Sequence, residues 1–209
     1  MKITVYIMNT DNLPDPKFNE KSLSELPDYR KEKCLRYKNQ QDRKLCLASG
    51  LLLNLISKKF NFSVDDIVFS KNGKPILPPD TGAVNFNISH SGKYAVCCVS
   101  ESQVGCDIEK ITDKHLKVSQ RFFHKNEQEY LDKSENKAEA FCRIWTRKES
   151  YLKLTGAGIT TTLSDFSTVF NGENCLIEEN TYFFYEKIVD NYLLSVCSDK
   201  KSDVQYIYI

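Results

Sequence analysis

The chain has no cysteine pair spaced C-x-x-C and no Cys/His spacing suited to zinc, although it carries eight cysteines alongside three histidines. A zinc finger or ribbon is therefore excluded. Most of the cysteines (34, 46, 97, 98, 106, 142, 175 and 197) lie in apolar runs such as Tyr94-Ala-Val-Cys-Cys-Val99 and Leu193-Leu-Ser-Val-Cys197. There they read as small buried hydrophobes, kept as free thiols in a reducing cytoplasm. An excess of charge is also missing: 29 Lys and Arg face 28 Asp and Glu, a net charge of +1. No global field points to nucleic acid or to an acidic membrane, so any charged partner must be read by a local patch. The opening Met1-Lys-Ile-Thr-Val-Tyr-Ile7 is too short and too β-rich for a signal peptide or a bilayer span. Low-complexity segments and clean repeats are absent as well. What remains, at 209 residues with 41% hydrophobic content, is a globular chain long enough to bury a real core.

The periodicity predicts an α+β chain. Residues 2–8 alternate as a strand. Beyond a Pro-containing loop, Asp28 is placed to cap a charged helix reaching about Tyr37. A second helix spans about Gln40 to Lys59, with Leu45, Ala48, Leu52 and Leu55 forming one apolar stripe. Short strands follow at 67–69, 84–88, 94–99 and 104–109, with a turn at Asn72-Gly73. Helical patterns come next at about 115–122, 125–133 and 136–154, the last stopped by Gly156 and Gly158. Strands at 165–170, 181–188, 192–197 and 204–208 close the chain. Each half combines helices with antiparallel-looking strands, and the polar stretch Ser100–Gln103 marks a boundary between 1–102 and 103–209.

Three stretches carry chemistry. Asn87-Ile-Ser-His-Ser-Gly92 gathers hydroxyls, an imidazole and a glycine in a turn, a composition suited to phosphate oxygens, though an ordinary Ser/Gly hairpin would look alike. In Val104-Gly-Cys-Asp-Ile-Glu109 the strand period puts Asp107 and Glu109 on one face and Cys106 and Ile108 on the other. Two carboxylates about 7 Å apart can converge on a hard cation, and they fit the wet side of a half-buried strand equally well. The third stretch is Trp145-Thr-Arg-Lys-Glu-Ser-Tyr-Leu-Lys153. At about 100° per residue, Lys148 and Glu149 fall inside the apolar arc of the helix and Lys153 at its edge. Charges on a core face call for a partner: an ion, a Glu149–Lys153 pair, or for Lys148 a route to water. Lys74 in Asn72-Gly-Lys-Pro75 is presented by a turn, and a basic run (Arg30, Lys31, Lys33, Arg36, Lys38, Arg43, Lys44) straddles the first two helices.

In order and spacing, Gly73-Lys-Pro75, Phe86-Asn-Ile-Ser-His-Ser-Gly92, Gly105-Cys-Asp-Ile-Glu109 and Trp145-x-x-Lys-Glu-Ser-x-x-Lys153 resemble the signature of the Sfp-type 4′-phosphopantetheinyl transferases. The likeness runs from the amino terminus through Arg121-Phe-Phe123 to Phe166. It implies two similar α/β subdomains related by pseudo-two-fold symmetry, with coenzyme A bound in the cleft between them. It further implies that Asp107, Glu109 and Glu149 hold magnesium. Glu149 helps deprotonate the acceptor serine, directly or through a water, and Lys153 stabilises the leaving 3′,5′-ADP. Ser89 and His90 contact the phosphates, Gly73, Lys74 and Pro75 border the adenine, and Arg30 and Lys33 meet the 3′-phosphate. A further cation is supplied by Arg43 or Lys44. The acceptor is an apo carrier protein, typically acidic where it docks. We expect it at the basic segment of Lys114, His115, Lys117, Arg121, His124 and Lys125 with Phe122 and Phe123. By the same analogy the protein is a cytoplasmic monomer of broad range in secondary metabolism. Two other functions use the same residues: a magnesium-dependent nucleotide pyrophosphate hydrolase, and a coenzyme A- or carrier-binding module without turnover.

Overall fold

The computed structural model describes residues 1–81, 84–158, 163–169, 174–177 and 179–209. Its first strand, β1 (Lys2–Asn9), is buried on both faces because the period of two sends its side chains to two different cores. Ile3, Val5 and Ile7 join Val104, Cys106, Ile108 and Val196. Tyr6 and Met8 instead meet Ala48, Leu52 and Ile56 of the long helix α3 (Gln40–Phe60). Fully burying a side chain of this kind contributes about 1.5–3 kcal/mol.

Two short helices precede α3: α1 (Glu20–Ser24) and α2 (Asp28–Arg36). The cap position of α2 is occupied by Pro27, not Asp28. Asp28 sits one residue inside, in the first turn, where the helix dipole favours a carboxylate and Lys31 pairs with it at 2.8 Å. Helix α3 (Gln40–Phe60) is capped by the Asn39 side chain and ends at Asn61, whose φ of 56° is left-handed. The small hairpin β2 (Val68–Phe69) and β3 (Pro75–Ile76) leads to β4 (Asn85–Ser91) and β5 (Tyr94–Ser100).

The second half begins with β6 (Val104–Lys110) and continues through α4 (Ser119–Phe122), α5 (Lys125–Lys133) and α6 (Lys137–Thr155). Strands β7 (Asn174–Ile177), β8 (Asn180–Val189), β9 (Tyr192–Ser198) and β10 (Asp203–Tyr208) complete it. One sheet has the order β10-β1-β5-β4 and the other β6-β9-β8-β7. The same path is therefore walked twice: a strand, a long helix, then two strands, with the last strand pairing between the first and the second. In the first half these are β1, α3, β4 and β5; in the second, β6, α6, β8 and β9.

Two expected strands differ. The segment predicted at 165–170 is a short helical turn, Leu163–Asp165, followed by irregular chain through 169; residue 170 lies outside the described residues. The physical reason is that its backbone groups have other partners. Lys148 takes the carbonyls of Leu163 and Phe166, and Glu127 takes the N–H of Thr168. The closing strand of this sheet is β7 instead. The final strand, β10, runs parallel to β1 and lies in the first half's sheet, so the chain's end returns across the boundary expected near residue 102.

Candidate active site

The two sheets meet where β4 faces β6, and the sequence of β4 explains the contact. Its odd-numbered side chains point at β6. Asn87 Oδ1 accepts the N–H of Cys106 at 3.0 Å, Ser89 Oγ donates to Asp107 Oδ1 at 2.8 Å, and Ser91 Oγ donates to Glu109 Oε2 at 2.7 Å. The polar motif expected as a turn is strand through Ser91, with only Gly92 in the turn, and it forms a seam between the halves. On β6 the alternation holds: Cys106 and Ile108 enter the apolar core while Asp107 and Glu109 face the cleft. That side is not wet, however, since Asp107 is only 3% exposed.

Helix α6 covers the other side of the cleft. It can do so because residue 105 is glycine: a Cβ there would lie 2.1 Å from the Ser150 carbonyl oxygen and 2.4 Å from the Leu154 nitrogen. From α6, Lys153 Nζ donates to Asp107 Oδ1 at 2.6 Å and to Ser89 Oγ at 2.9 Å. Glu149 lines the same cavity of about 310 Å³ as Ser89, His90, Asp107, Glu109 and Lys153. Burial raises the pKa of Glu149 above its ordinary value; Asp107 and Glu109 push the same way, and Lys153 opposes them. Glu109 is raised for the same reason, first by burial, with Ser91 pulling it back. Burial alone would lower Lys153, but the Asp107 carboxylate outweighs it and holds the ammonium up.

Three carboxylates against one ammonium leave the cluster short of positive charge. Asp107 Oδ2 is buried with no hydrogen-bond partner. This hard-oxygen donor set, with an orphaned carboxylate oxygen, fits a small divalent cation. As the side chains stand, no three His, Cys, Asp or Glu groups among the described residues close on a common point. Asp107 and Glu109 are instead held by the two serines and by Lys153.

A second cavity, of about 290 Å³, opens on the far side of His90. Arg30 and Lys33 of α2 reach it from one wall, and Gly73 and Pro75 of the β2–β3 hairpin from another. Arg30 Nε is buried there without a partner, an available donor for an anion. Partial desolvation by the cleft walls lowers the pKa of His90 from the usual 6.5, although the residue stays exposed, and Lys153 adds to the effect. The aromatic residues Tyr29, Tyr37 and Phe69 also line this cavity. Periodicity did not reveal them, because each lies on a short or exposed element.

Other predicted residues are directed elsewhere. Arg43 is bound to Asp15 at 2.5 Å and donates to the carbonyls of Tyr37 and Lys38, which turns it away from the cavity. That hydrogen bond holds the Asp15 carboxyl down to about 2. Lys44 reaches the Asp11 carbonyl. Neither is brought to the cavity wall. Lys74 does border the cleft, but its ammonium donates to the Leu154 carbonyl at 2.8 Å in the last turn of α6. There it satisfies an end carbonyl and the helix dipole. Asn72 adds bonds to the carbonyls of Gly156 and Ala157, so the first half's hairpin clamps the end of the second half's helix.

Lys148 has a different fate from its neighbour Glu149. It is fully buried and pairs at 2.8 Å with Glu127 of α5, itself fully buried. Glu127 is the residue that sequence reasoning missed: nothing local in α5 signals a buried partner on another helix. In the basic segment, Lys114, His115, Lys117, Arg121 and Lys125 are exposed, while His124 caps α5. Phe123 is core, stacked on Phe141 at 5.0 Å; Phe122 packs edge-on against Trp145 at 6.3 Å. An apolar hollow of about 230 Å³ runs from Glu109 between Trp145 and Phe141 toward His115.

Residues 103–197 match the family model of the 4′-phosphopantetheinyl transferase superfamily. Residues 14–103 match that of the 4′-phosphopantetheinyl transferase N-terminal domain. The chain is 34% identical over 169 residues to 4′-phosphopantetheinyl transferase Sfp of Bacillus subtilis (strain 168), covering 78% of this chain and 75% of that one. It is 33% identical over 174 residues to 4′-phosphopantetheinyl transferase gsp of Aneurinibacillus migulanus, with 78% and 72% covered. Similarity extends to the L-aminoadipate-semialdehyde dehydrogenase-phosphopantetheinyl transferase of Mus musculus, 30% identical over 206 residues, with 83% and 66% covered.

Proposed function

The chain belongs to the Sfp-type 4′-phosphopantetheinyl transferases, and we propose that it moves the phosphopantetheine arm of coenzyme A onto a serine of an apo carrier protein, releasing 3′,5′-ADP. One observation carries this reading: Asp107, Glu109, Glu149 and Lys153 line one cavity, and His90 joins it to a second one bordered by Arg30 and Lys33. The first suits a reacting pyrophosphate and the second a terminal phosphate on the nucleotide.

Asp107, Glu109 and Glu149 would hold magnesium, which when bound neutralises charge on the pyrophosphate oxygens. Lys153 supplies a second positive charge beside the departing phosphate, where negative charge grows as the P–O bond breaks. Glu149 accepts the serine proton, directly or through one water. Ser89 and Ser91 fix the carboxylates of Asp107 and Glu109, so the site is positioned before substrate arrives. Arg30, Lys33 and His90 receive the 3′-phosphate, while Gly73 and Pro75 border the adenine. The hollow beside Trp145 gives the pantetheine arm an apolar path toward the basic segment, where an acidic carrier docks. The protein is further read as a cytoplasmic monomer serving carriers of secondary metabolism, such as nonribosomal peptide or polyketide synthesis. No helix among the described residues is long and apolar enough to cross a membrane.

The test is to incubate the protein with coenzyme A, magnesium and apo carriers of the acyl and peptidyl types, then weigh each carrier. A gain of one phosphopantetheine is expected. No gain on any carrier type, with the protein folded, rejects transfer, and release of phosphate products without a carrier adduct points to a hydrolase.

A further inference from the structure

The second cavity contains a feature that transfer does not use. Cys34 of α2 and Cys46 of α3 pack together in one buried cluster where the two helices meet. Cys34 is fully buried, with its Sγ 3.9 Å from the carbonyl oxygen of Arg43, one turn before Cys46 on α3. Cys46 differs in access: it forms part of the wall of the cavity that Arg30, Lys33 and His90 also line. Leu26 and Leu47 pack with both sulfurs in one small cluster, which holds α2 against α3.

We propose that Cys46 and Cys34 form an oxidisable dithiol, in which Cys46 reacts with a peroxide entering through the nucleotide cavity and Cys34 resolves the product into a disulfide. The electrostatics agree with this division. The neighbouring Cys34 thiol lowers the pKa of Cys46, burial opposes it, and Arg30 and Lys33 lower it further. Cys34 is pushed well above the ordinary thiol range by the neighbouring Cys46 and by its burial, and its thiol is directed at the Arg43 carbonyl. The thiolate is the reactive form.

The Cys46 thiolate attacks one peroxide oxygen and breaks the O–O bond, giving a sulfenic acid and a hydroxide that takes up a proton. The sulfur of Cys34 then attacks the sulfur of Cys46. The S–O bond breaks, and the hydroxyl leaves with the Cys34 proton as water. Two thiols are oxidised by two electrons and one peroxide is reduced to two waters. Because Arg30 and Lys33 lie on the helix that carries Cys34, the new bond ties both cations to α3. A ligand lying over these cations closes the peroxide's route. The dithiol chemistry stands apart from the transferase reading, and only the protection by nucleotide rests on it.

The full-length protein, treated with an equimolar amount of hydrogen peroxide, is denatured, alkylated and mapped by peptide mass. The peptides of Cys34 and Cys46 are expected joined, with the other cysteines alkylated. Alkylation of both, as in the untreated protein, overturns the proposal. In Cys34→Ser, Cys46 should instead be trapped as a sulfenic acid by a cyclic 1,3-diketone; in Cys46→Ser, Cys34 should take no tag. A tag on Cys34 reverses the roles and refutes the assignment. Saturating adenosine 3′,5′-bisphosphate should slow disulfide formation at least about tenfold by occupancy alone. An unchanged rate rules out the cavity as the route, whatever the outcome for transfer.

Discussion

Lys148 and Glu149 are consecutive on α6, yet their surroundings differ in charge balance and in access. Lys148 is sealed: one ammonium meets one carboxylate, Glu127, and its remaining donors reach the carbonyls of Leu163 and Phe166. Glu149 opens on a cavity where three carboxylates share one ammonium and one buried oxygen has no partner. The balanced cluster closes a core and pins the segment before β7. The unbalanced one keeps an unmet demand for positive charge, which a substrate-bound cation can satisfy. A buried charge is thus a sign of function only when its partners do not cancel it.

The largest expected effect is on Glu149→Gln. It should keep the fold but reduce transfer on the order of 10²- to 10⁴-fold, followed as carrier mass against time. Lys148→Met should act on stability instead. It leaves Glu127 buried and unpaired, a loss of about 3–5 kcal/mol in urea unfolding, and adding Glu127→Gln should restore most of it. A Lys148→Met protein of normal stability that no longer transfers would move Lys148 into the reactive cluster. Reversing Lys117 and Arg121 to Glu should raise the KM for the carrier by about tenfold and leave that for coenzyme A alone. An unchanged carrier KM would reject the docking segment.

The smallest effect concerns pH. In the metal-free protein the pKa of Glu149 is raised above its ordinary 4.5, so the folded state holds the proton more tightly than the unfolded chain does. Its contribution to stability is full below pH 4.5 and is lost as pH rises through the folded value. Glu149→Gln should therefore match the wild type in Tm at low pH and exceed it near neutrality, with magnesium reducing the gap. Equal Tm values at all pH values would show that burial and the neighbouring carboxylates do not raise the pKa of Glu149.

Much of this was legible where a pattern is local. The stripe of α3, the period of two on β6 and the stop at Gly156 all depend on near neighbours, and the structure has them as read. Long-range partners were not legible. Glu127 reaches Lys148 across two helices and diverts backbone that a strand would otherwise use. Asp15 captures Arg43 from a loop, and Leu154 captures Lys74 from the opposite half. Strand β10 pairs with β1 across nearly the whole chain. The likeness of the two halves was legible as helices plus antiparallel-looking strands in each, whereas the strand order within each sheet was not, because pairing is set by distant partners.

The most direct measurement compares carrier modification by three folded proteins side by side: wild type, Glu149→Gln, and the Glu127→Gln/Lys148→Met pair. With coenzyme A and magnesium present, wild type should add one phosphopantetheine to an apo carrier. The double variant should do so within about tenfold of the wild-type rate, and Glu149→Gln should add none in the same time. Transfer at the wild-type rate by Glu149→Gln, or its loss in a stably folded double variant, would contradict the assignment of function to the unbalanced cluster.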